Sequence, residues 1–191
     1  ISLKINQGWS ANADRPFSLP IGDKMPETFL TSCTHFGHKN IIKFQKEYRP
    51  FNDIIEHDAA LIENWNSVVS ENDTVIHLGD VAFTLEAYES CVPLLNGRKK
   101  LVLGNHDAFS MRNYMHDFEQ ISGPLKIAKG WWVSHIPVHP SEFGRTTTNI
   151  HGHTHDRLVA DEYGDLDERY VNVCVENWDL TPVPFDFIRS M

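Results

Sequence analysis

Five short stretches of this chain carry side chains that bind metal ions or transfer protons. They are C-x-H at 33–35, G-D at 79–80, G-N-H-D at 104–107, S-H at 134–135 and G-H-x-H at 152–155. Together they supply seven candidate metal ligands: Cys33, His35, Asp80, Asn105, His135, His153 and His155. Each motif alone is weak evidence, because an isolated H-x-H or G-D is commonly a loop feature. Seven donors are too many for one tetrahedral ion, so the set predicts two adjacent ions that share a carboxylate, as in two-metal hydrolases.

Each of these motifs follows a predicted β-strand. The β-prone runs 28–32, 74–78, 100–103, 131–134 and 147–150 all stop beside the polar residues. In layered α/β folds, ligands bind beyond the carboxyl ends of the strands. We therefore expect the loops after residues 32, 79, 104, 134 and 152 to converge at one end of the molecule. Glycine precedes the polar residue in three of the motifs, as expected where a turn needs a positive φ or where two backbones pass closely.

The rest of the pattern completes a prediction of an α/β domain. Asp53 and Glu56 have capping-box spacing, and the apolar residues that follow recur at helical period, which predicts a helix of about four turns. A second helix is predicted over 85–95, and further strands over 169–175 and 183–188. Residues 1–27 are rich in turn formers and are expected to form an irregular N-terminal extension, with a short strand at 3–5, before a domain over 28–191.

Composition excludes several classes of function. At 191 residues and 41% hydrophobic, the chain can bury one sizeable core. No apolar run reaches the roughly 18 to 20 residues of a membrane span, and the N-terminus is too polar for a secretory signal, so we expect a cytoplasmic protein with no membrane partner. A net charge of −9 disfavours binding to long duplex nucleic acid.

The three cysteines are too few and too far apart for a disulfide framework, so we expect reduced thiols. Cys91 and Cys174 have no metal-type neighbours in the sequence and are expected to be core cysteines. His38 either contributes to the substrate loop or is a polar turn residue. Arg49, like Arg145 and Lys39, could contact a substrate phosphate, although an ordinary surface or salt-bridged cation is the better expectation.

The order of the motifs resembles the calcineurin-like metallophosphoesterase superfamily, whose pattern is D-x-H, G-D, G-N-H-D/E, H and G-H-x-H. The resemblance is closer to a small bacterial and phage branch marked by THFGH, RPF, LGD, GNHD, GHTH and a C-terminal N-V-x-V-x-x-W. This chain has all six, between residues 34 and 178. The resemblance covers residues 28–191 and implies a four-layer α/β/β/α sandwich of two mixed sheets, with the site on loops at one end.

The resemblance also implies a role for each residue, and the hydrolysis of phosphate esters as the function. The ligands divide into three groups: Cys33, His35 and His155 for one ion, Asn105, His135 and His153 for the other, and Asp80 as the bridge. The ions would be divalent zinc, manganese or iron, and a metal-bound hydroxide would be the nucleophile. His106 would stabilise the phosphate or protonate the leaving oxygen, and Asp107 would orient its neighbours. A small phosphodiester or nucleotide is the favoured substrate.

Two positions depart from the family pattern. The family has an aspartate where this chain has Cys33, and some members have an acidic residue where it has Phe83, which puts an orienting partner for His106 in doubt. A thiolate at 33 can replace one carboxylate oxygen and favours zinc or iron over magnesium. Alternatively, Cys33 only fits the space and leaves the first ion short of a ligand. Two other functions stay open: a catalytically weak metal-binding scaffold of the same fold, and a structural-zinc protein built on Cys33, His35, His153 and His155.

Overall fold

Two mixed β-sheets form the centre of the molecule in the computed structural model, which describes residues 25–191. The first sheet has the strand order β4-β3-β2-β1-β9, and the second has the order β5-β6-β7-β8. The strands are β1 (Thr28–Thr31), β2 (Thr74–His77), β3 (Arg98–Val102), β4 (Phe118–Ser122), β5 (Leu125–Ala128), β6 (Trp131–Ser134), β7 (Thr148–His151), β8 (Tyr170–Asn172) and β9 (Val183–Pro184). Strands β1–β4 are parallel and β9 is antiparallel to β1; β6–β8 are parallel and β5 is antiparallel to β6.

The α-helices of the described residues are α1 (Ile41–Phe44), α2 (Ile54–Val68), α3 (Leu85–Cys91), α4 (Met111–Asp117) and α5 (Phe185–Ser190). The Asp53 carboxylate caps α2 by accepting hydrogen bonds from the backbone N–H groups of Ile55 and Glu56. The Glu56 carboxylate accepts the return bond from the backbone N–H of Asn52 at 2.9 Å, one residue earlier than in a regular capping box. The sequence therefore predicted the start of this helix correctly. No helix among residues 25–191 is long and apolar enough to cross a bilayer.

The strands of the first sheet send alternate side chains to opposite faces, as the period of two requires. Phe29 of β1 and Val75 of β2 join a cluster with helix residues such as Trp65 and Tyr88. Leu30 and Ile76, the next residues along β1 and β2, join a second cluster with Val133 of β6, Ile150 of β7 and Val173 after β8, so this cluster lies between the two sheets. The first sheet is thus covered by helices on one face and by the second sheet on the other.

The outer face of the second sheet is covered by residues 136–147, which include the short 3₁₀ helix Pro140–Glu142. The Tyr170 hydroxyl donates to the backbone oxygen of Val138 at 2.6 Å, and its ring packs against Phe143 with centroids 5.3 Å apart. The order from helices through two sheets to this covering segment confirms the predicted α/β sandwich of two mixed sheets.

Three predicted elements differ in extent or type. The helix expected over 85–95 is α3 followed by the 3₁₀ helix Val92–Leu94, because Pro93 has no backbone N–H to donate. The strand expected over 169–175 is only β8, and the strand expected over 183–188 is only β9. Beyond Pro184 the chain turns into α5, where the side chain of Ile188 is buried between the sheets. The strand predicted at 3–5 and most of the predicted extension lie outside the described residues.

Candidate metal centre

Backbone pairing between β1 and β2 continues beyond the ends of both strands. Cys33 donates its N–H to the oxygen of Gly79 at 3.0 Å, and His35 donates to that of Asp80 at 3.0 Å. Gly79 has φ +89°, and a Cβ there would collide with the backbone of Gly104. The loops after residues 32, 79 and 104 are therefore packed backbone against backbone at one end of the first sheet, as the sequence predicted.

Asp107 fixes two of these loops to each other. Its carboxylate accepts hydrogen bonds from the backbone N–H groups of Asp80 at 2.8 Å, Val81 at 3.0 Å and Gly104 at 2.8 Å. Bonds from backbone donors to a carboxylate are charge-assisted and strong. The contacts of Asp107 agree with the orienting role that the resemblance implied for it.

The expected ligands of one ion meet around Nε2 of His135. This atom lies 2.9 Å from Oδ1 of Asn105, 3.3 Å from Oδ2 of Asp80 and 3.2 Å from Nδ1 of His153. Nδ1 of His135 lies 2.7 Å from the backbone oxygen of Leu78, which accepts its proton and leaves Nε2 for a ligand. Ions bound at about 2.0–2.2 Å hold neighbouring donors about 3.0–3.5 Å apart, so each of these three donors lies at a suitable distance from His135. The sulfur of Cys33 also lies within 4.8 Å of donor atoms of Asp80 and His135 and therefore borders this group.

The expected ligands of the other ion, called the first ion below because Cys33 precedes the other donors, form a group of their own. Donor atoms of Cys33, His35 and His155 all lie within 4.8 Å of one another, and Nε2 of His35 lies 3.6 Å from Oδ2 of Asp80. Both ring nitrogens of His35 are buried and have no hydrogen-bond partner among the described residues. A buried imidazole without a partner is costly, and a cation bound to one of its nitrogens would remove part of that cost. The donor set therefore fits a metal ion.

The sulfur of Cys33 is fully buried and surrounded by donors. The backbone N–H of His153 donates to it at 3.2 Å, the Cys174 thiol lies at 3.5 Å and the Ser32 hydroxyl at 3.3 Å. Burial alone raises the pKa of the Cys33 thiol, but the hydrogen bond with Cys174 and the adjacent imidazole of His35 lower it well below its ordinary value. Burial and the contact with Cys33 raise the pKa of Cys174. In this pair Cys33 is the thiolate and Cys174 the donor.

The prediction for Cys174 was wrong about its neighbours. Cys174 is buried, as a core cysteine should be, but its sulfur contacts Cys33 inside the candidate centre. The signal was absent from the sequence because 141 residues separate the two cysteines. Cys91 lies in the apolar cluster under the helices, as predicted, and the three cysteines are free thiols.

Sequence reasoning missed Glu176, which lies behind the centre with Arg49. The Glu176 carboxylate accepts from Arg49 Nη2 at 2.7 Å and lies 2.8 Å from Nδ1 of His155. Arg49 also donates to the backbone oxygens of Thr34 at 3.0 Å and Cys33 at 2.6 Å. Burial alone would raise the pKa of Glu176, but Arg49 and His155 lower it to about 2. Arg49 is thus a buried salt-bridged cation, and Glu176 occupies an unspecified position of the N-V-x-V-x-x-W motif.

The backbone of the centre adopts conformations that residues other than glycine rarely adopt. Within the described range, seven residues other than glycine have a positive φ, and five of them are expected ligands: Cys33, His35, Asp80, His153 and His155. Such conformations cost on the order of 1–3 kcal/mol each and are concentrated at functional sites. The loop packing holds these five side chains in place despite that cost.

His106 lies on the open side of the centre. Its backbone N–H donates to Oδ1 of Asp80 at 2.9 Å, and its ring lies 5.5 Å from that of His35. Asn105 and His106 are exposed, whereas His35 and Asp80 are buried, so a substrate can approach from this side. The ring of Phe83 lies 5.9 Å from that of His106, and within residues 25–191 no side chain forms a hydrogen bond with the His106 imidazole.

Proteins similar to this chain occur in an archaeon, a phage and a bacterium. The uncharacterized protein MJ1445 of Methanocaldococcus jannaschii is 32% identical over 172 residues, which cover 87% of this chain and 92% of that protein. The gene 66 protein of Mycobacterium phage L5 is 29% identical over 188 residues, which cover 81% of this chain and 88% of the phage protein. A crystal structure of AQ665 from Aquifex aeolicus, a protein of unknown function, has a TM-score of 0.67 and 26% identity, and covers 87% of this chain and 99% of that one.

The family model for calcineurin-like phosphoesterases matches residues 28–180. This match confirms the resemblance seen in the motifs; the phage relative agrees with the bacterial and phage branch that they indicated, and MJ1445 shows that similar proteins also occur in an archaeon. A divalent-metal centre is the general expectation for the family, and the donor groups described above are suitable for one. This chain therefore belongs to the calcineurin-like phosphoesterase family, which supports a metal-dependent phosphoesterase in general terms.

Proposed function

We propose that this chain hydrolyses small phosphodiesters or nucleotides at a centre of two divalent transition-metal ions. One observation carries the proposal: Oδ2 of Asp80 lies 3.6 Å from Nε2 of His35 and 3.3 Å from Nε2 of His135. A single carboxylate oxygen thereby lies near the donors expected for both ions. This is the arrangement that two adjacent ions require.

Two bound cations would activate a water molecule and offset the negative charge on the phosphoryl oxygens. The protein's part is to keep the donors anionic and fixed. Burial alone would raise the pKa of Asp80, but the hydrogen bond and charge of His135, followed by His35, lower it below its ordinary range. Asp80 is therefore a carboxylate at neutral pH, and the N–H of His106 holds its second oxygen.

His106 is the group best placed to move a proton. Its imidazole is exposed on the open side, with its ring centroid 5.5 Å from that of His35, and its backbone N–H contacts the carboxylate of Asp80. Diesters have poor alkoxide leaving groups, so a proton delivered to the leaving oxygen as the P–O bond breaks accelerates the reaction by about two to four decades. We assign this proton to His106.

The thiolate of Cys33 favours zinc or iron at the first ion, since sulfur is a soft donor. Manganese fits the group around His135 better than the group around Cys33. The donors around His135 are imidazole nitrogens and oxygens: Asp80, Asn105, His135 and His153. The two positions are therefore proposed to differ in metal preference.

The structural-zinc hypothesis is less well supported. It needs the rings of His153 and His155 at the same ion as Cys33. The ring of His153 instead has its Nδ1 3.2 Å from His135, and only its backbone N–H meets the sulfur of Cys33. The weak-scaffold hypothesis differs from ours only in turnover, so an activity assay separates the two.

The test combines elemental analysis of the purified protein with hydrolysis of chromogenic mono- and diesters under added zinc, manganese and iron. We expect about two ions per chain, with faster hydrolysis of the diester. Asp80→Asn should lose both ions and the activity. Asp165→Asn, on an exposed loop, should keep both ions and the activity. A single ion per chain in the wild type, retained in Asp80→Asn, would contradict the shared site. Two ions without turnover would favour the scaffold.

A further inference from the structure

Four aromatic rings line the open side of the centre in a continuous row, which we call the aromatic shelf: Phe44, His38, Phe83 and His106. The centroids of successive rings are 6.2, 4.0 and 5.9 Å apart. Phe44 is 72% exposed and Phe83 is 47% exposed. Large apolar rings that remain in water next to a polar centre are available to cover an apolar part of a ligand.

The shelf is built on fixed backbone. The N–H of Phe83 donates to the backbone oxygen of Phe36 at 2.8 Å, and the N–H of Gly37 donates to Oδ2 of Asp58 at 2.9 Å. Gly37 has φ +77° and lies so close to α3 that a Cβ there would be 2.5 Å from Cβ of Ala87. The rings of Phe83 and His38 are thus held together by the same loop pairing that positions the metal donors.

The shelf is continuous with the groups proposed to react. The rings of His38 and His106 lie 5.6 and 5.5 Å from that of His35. His106 is the proposed proton donor to the leaving oxygen, so the rings beside it border the leaving group and not the attacking water. A flat aromatic group attached to the leaving oxygen would lie against Phe83.

We propose that the aromatic shelf is a stacking subsite for a nucleobase on the leaving alcohol of the substrate, which makes the preferred substrate a small nucleotide ester. This inference rests on the proposed phosphoesterase function. Stacking suits any base, because every base presents an aromatic face. The net charge of −9 disfavours polymeric nucleic acid and leaves single nucleotides or short esters.

The experiment compares AMP with ribose 5-phosphate, which has the same phosphate and sugar but no base. Inhibition constants are measured from initial rates of chromogenic diester hydrolysis by the metal-loaded protein. We expect AMP to bind about tenfold more tightly than ribose 5-phosphate, as expected for one stacked base. In Phe83→Leu, which keeps an apolar side chain but removes the ring, the ratio should fall close to one. Tyr163→Leu is the matched control, because Tyr163 is 83% exposed and lies on the loop between β7 and β8, outside the aromatic shelf, and it should keep the ratio.

Saturation-transfer NMR on the zinc-loaded protein gives a readout that does not depend on turnover. Signals of the adenine protons should be strong with the wild type and with Tyr163→Leu, and weak with Phe83→Leu. Equal inhibition by AMP and ribose 5-phosphate in a protein that hydrolyses the diester would overturn the subsite and leave the proposed function standing. Adenine signals that depend on Phe83 in a protein without turnover would support the subsite and count against the proposed activity.

Discussion

Replacement of Cys33 tests whether sulfur is a metal ligand in this centre. In the proposed arrangement the first ion has four protein donors, and Cys33→Ala removes one of them. In the proposed assignment the second ion keeps Asp80, Asn105, His135 and His153, although the sulfur of Cys33 also lies within 4.8 Å of donor atoms of Asp80 and His135. Metal content should therefore fall from about two ions per chain to about one.

The same substitution has a cost in stability that can be worked out from the contacts of the sulfur. The backbone N–H of His153 donates to Cys33 Sγ at 3.2 Å, and Cys174 lies 3.5 Å away. In Cys33→Ala both donors lose their acceptor; the part-buried backbone N–H of His153 left unpaired costs about 1–3 kcal/mol, whereas the thiol of Cys174 is a weak donor and costs less. The metal-free variant should therefore unfold at lower denaturant concentration than the metal-free wild type.

Whether Cys33 is a ligand is decided by three measurements: the metal content, the cobalt–sulfur band and the metal dependence of activity. They are made on wild type, Cys33→Ala, Cys33→Asp and Cys91→Ala. Elemental analysis counts the ions, and cobalt substitution gives a sulfur-to-cobalt charge-transfer band only where a thiolate is bound. Cys33→Asp should keep two ions, lose the band and shift activity toward manganese or magnesium. Cys91→Ala, the control, removes a buried core cysteine and should keep both the ions and the band. If wild type and Cys33→Ala both hold one ion and neither shows the band, Cys33 is not a metal ligand. A rise in metal content and turnover in Cys33→Asp would then indicate that aspartate restores the first metal site.

Further predictions concern the groups around the donors. His106→Ala should lower turnover by about two to four decades at unchanged metal content, measured by initial rates and elemental analysis; an unchanged rate would remove His106 from the mechanism. Glu176→Gln should lower the affinity for the first ion by about 10–100-fold in a metal titration, because His155 loses its anionic partner. The same variant leaves Arg49 buried without its counter-charge and should lower the free energy of unfolding by about 3–5 kcal/mol; a stability equal to wild type would contradict the buried ion pair. Cys174→Ala should keep two ions but shift the cobalt–sulfur band, and a band identical to wild type would exclude its thiol as a donor to Cys33.

Much of this centre was predictable because its signals are local in the sequence. Residue type identifies a possible donor, and alternating apolar residues identify the strand before it, so the ends of β1, β2 and β3 could be expected to carry Cys33, Asp80 and Asn105. The first helix with a clear cap, α2, was predictable for the same reason, since Asp53 and the apolar period lie within a few turns.

The parts that could not be predicted depend on contacts between distant segments. Glu176 is an acidic residue in an apolar stretch, and only the fold brings it to Arg49, 127 residues away. Cys174 meets Cys33 because the chain after β8 pairs with Ser32 in an isolated bridge that links the two sheets. Positive φ angles at the ligands are set by the packing of neighbouring loops, since none of these residue types favours that conformation as glycine does.

The balance of buried charge gives a physical reason why this arrangement needs cations. Cys33, Asp80 and Glu176 are buried, and burial favours the neutral form of each, yet neighbouring groups keep the pKa of all three below the ordinary values. Arg49 is the buried cation beside them and pairs with Glu176. That ion pair leaves the negative charges of Cys33 and Asp80 to the neighbouring histidines, which lower both pKa values and which must be neutral to bind a metal ion. Divalent cations between the two donor groups would provide this positive charge when the histidines are neutral, and would also occupy one of the unpartnered ring nitrogens of His35. The anionic donors and the orphaned imidazole thus lead to the same conclusion.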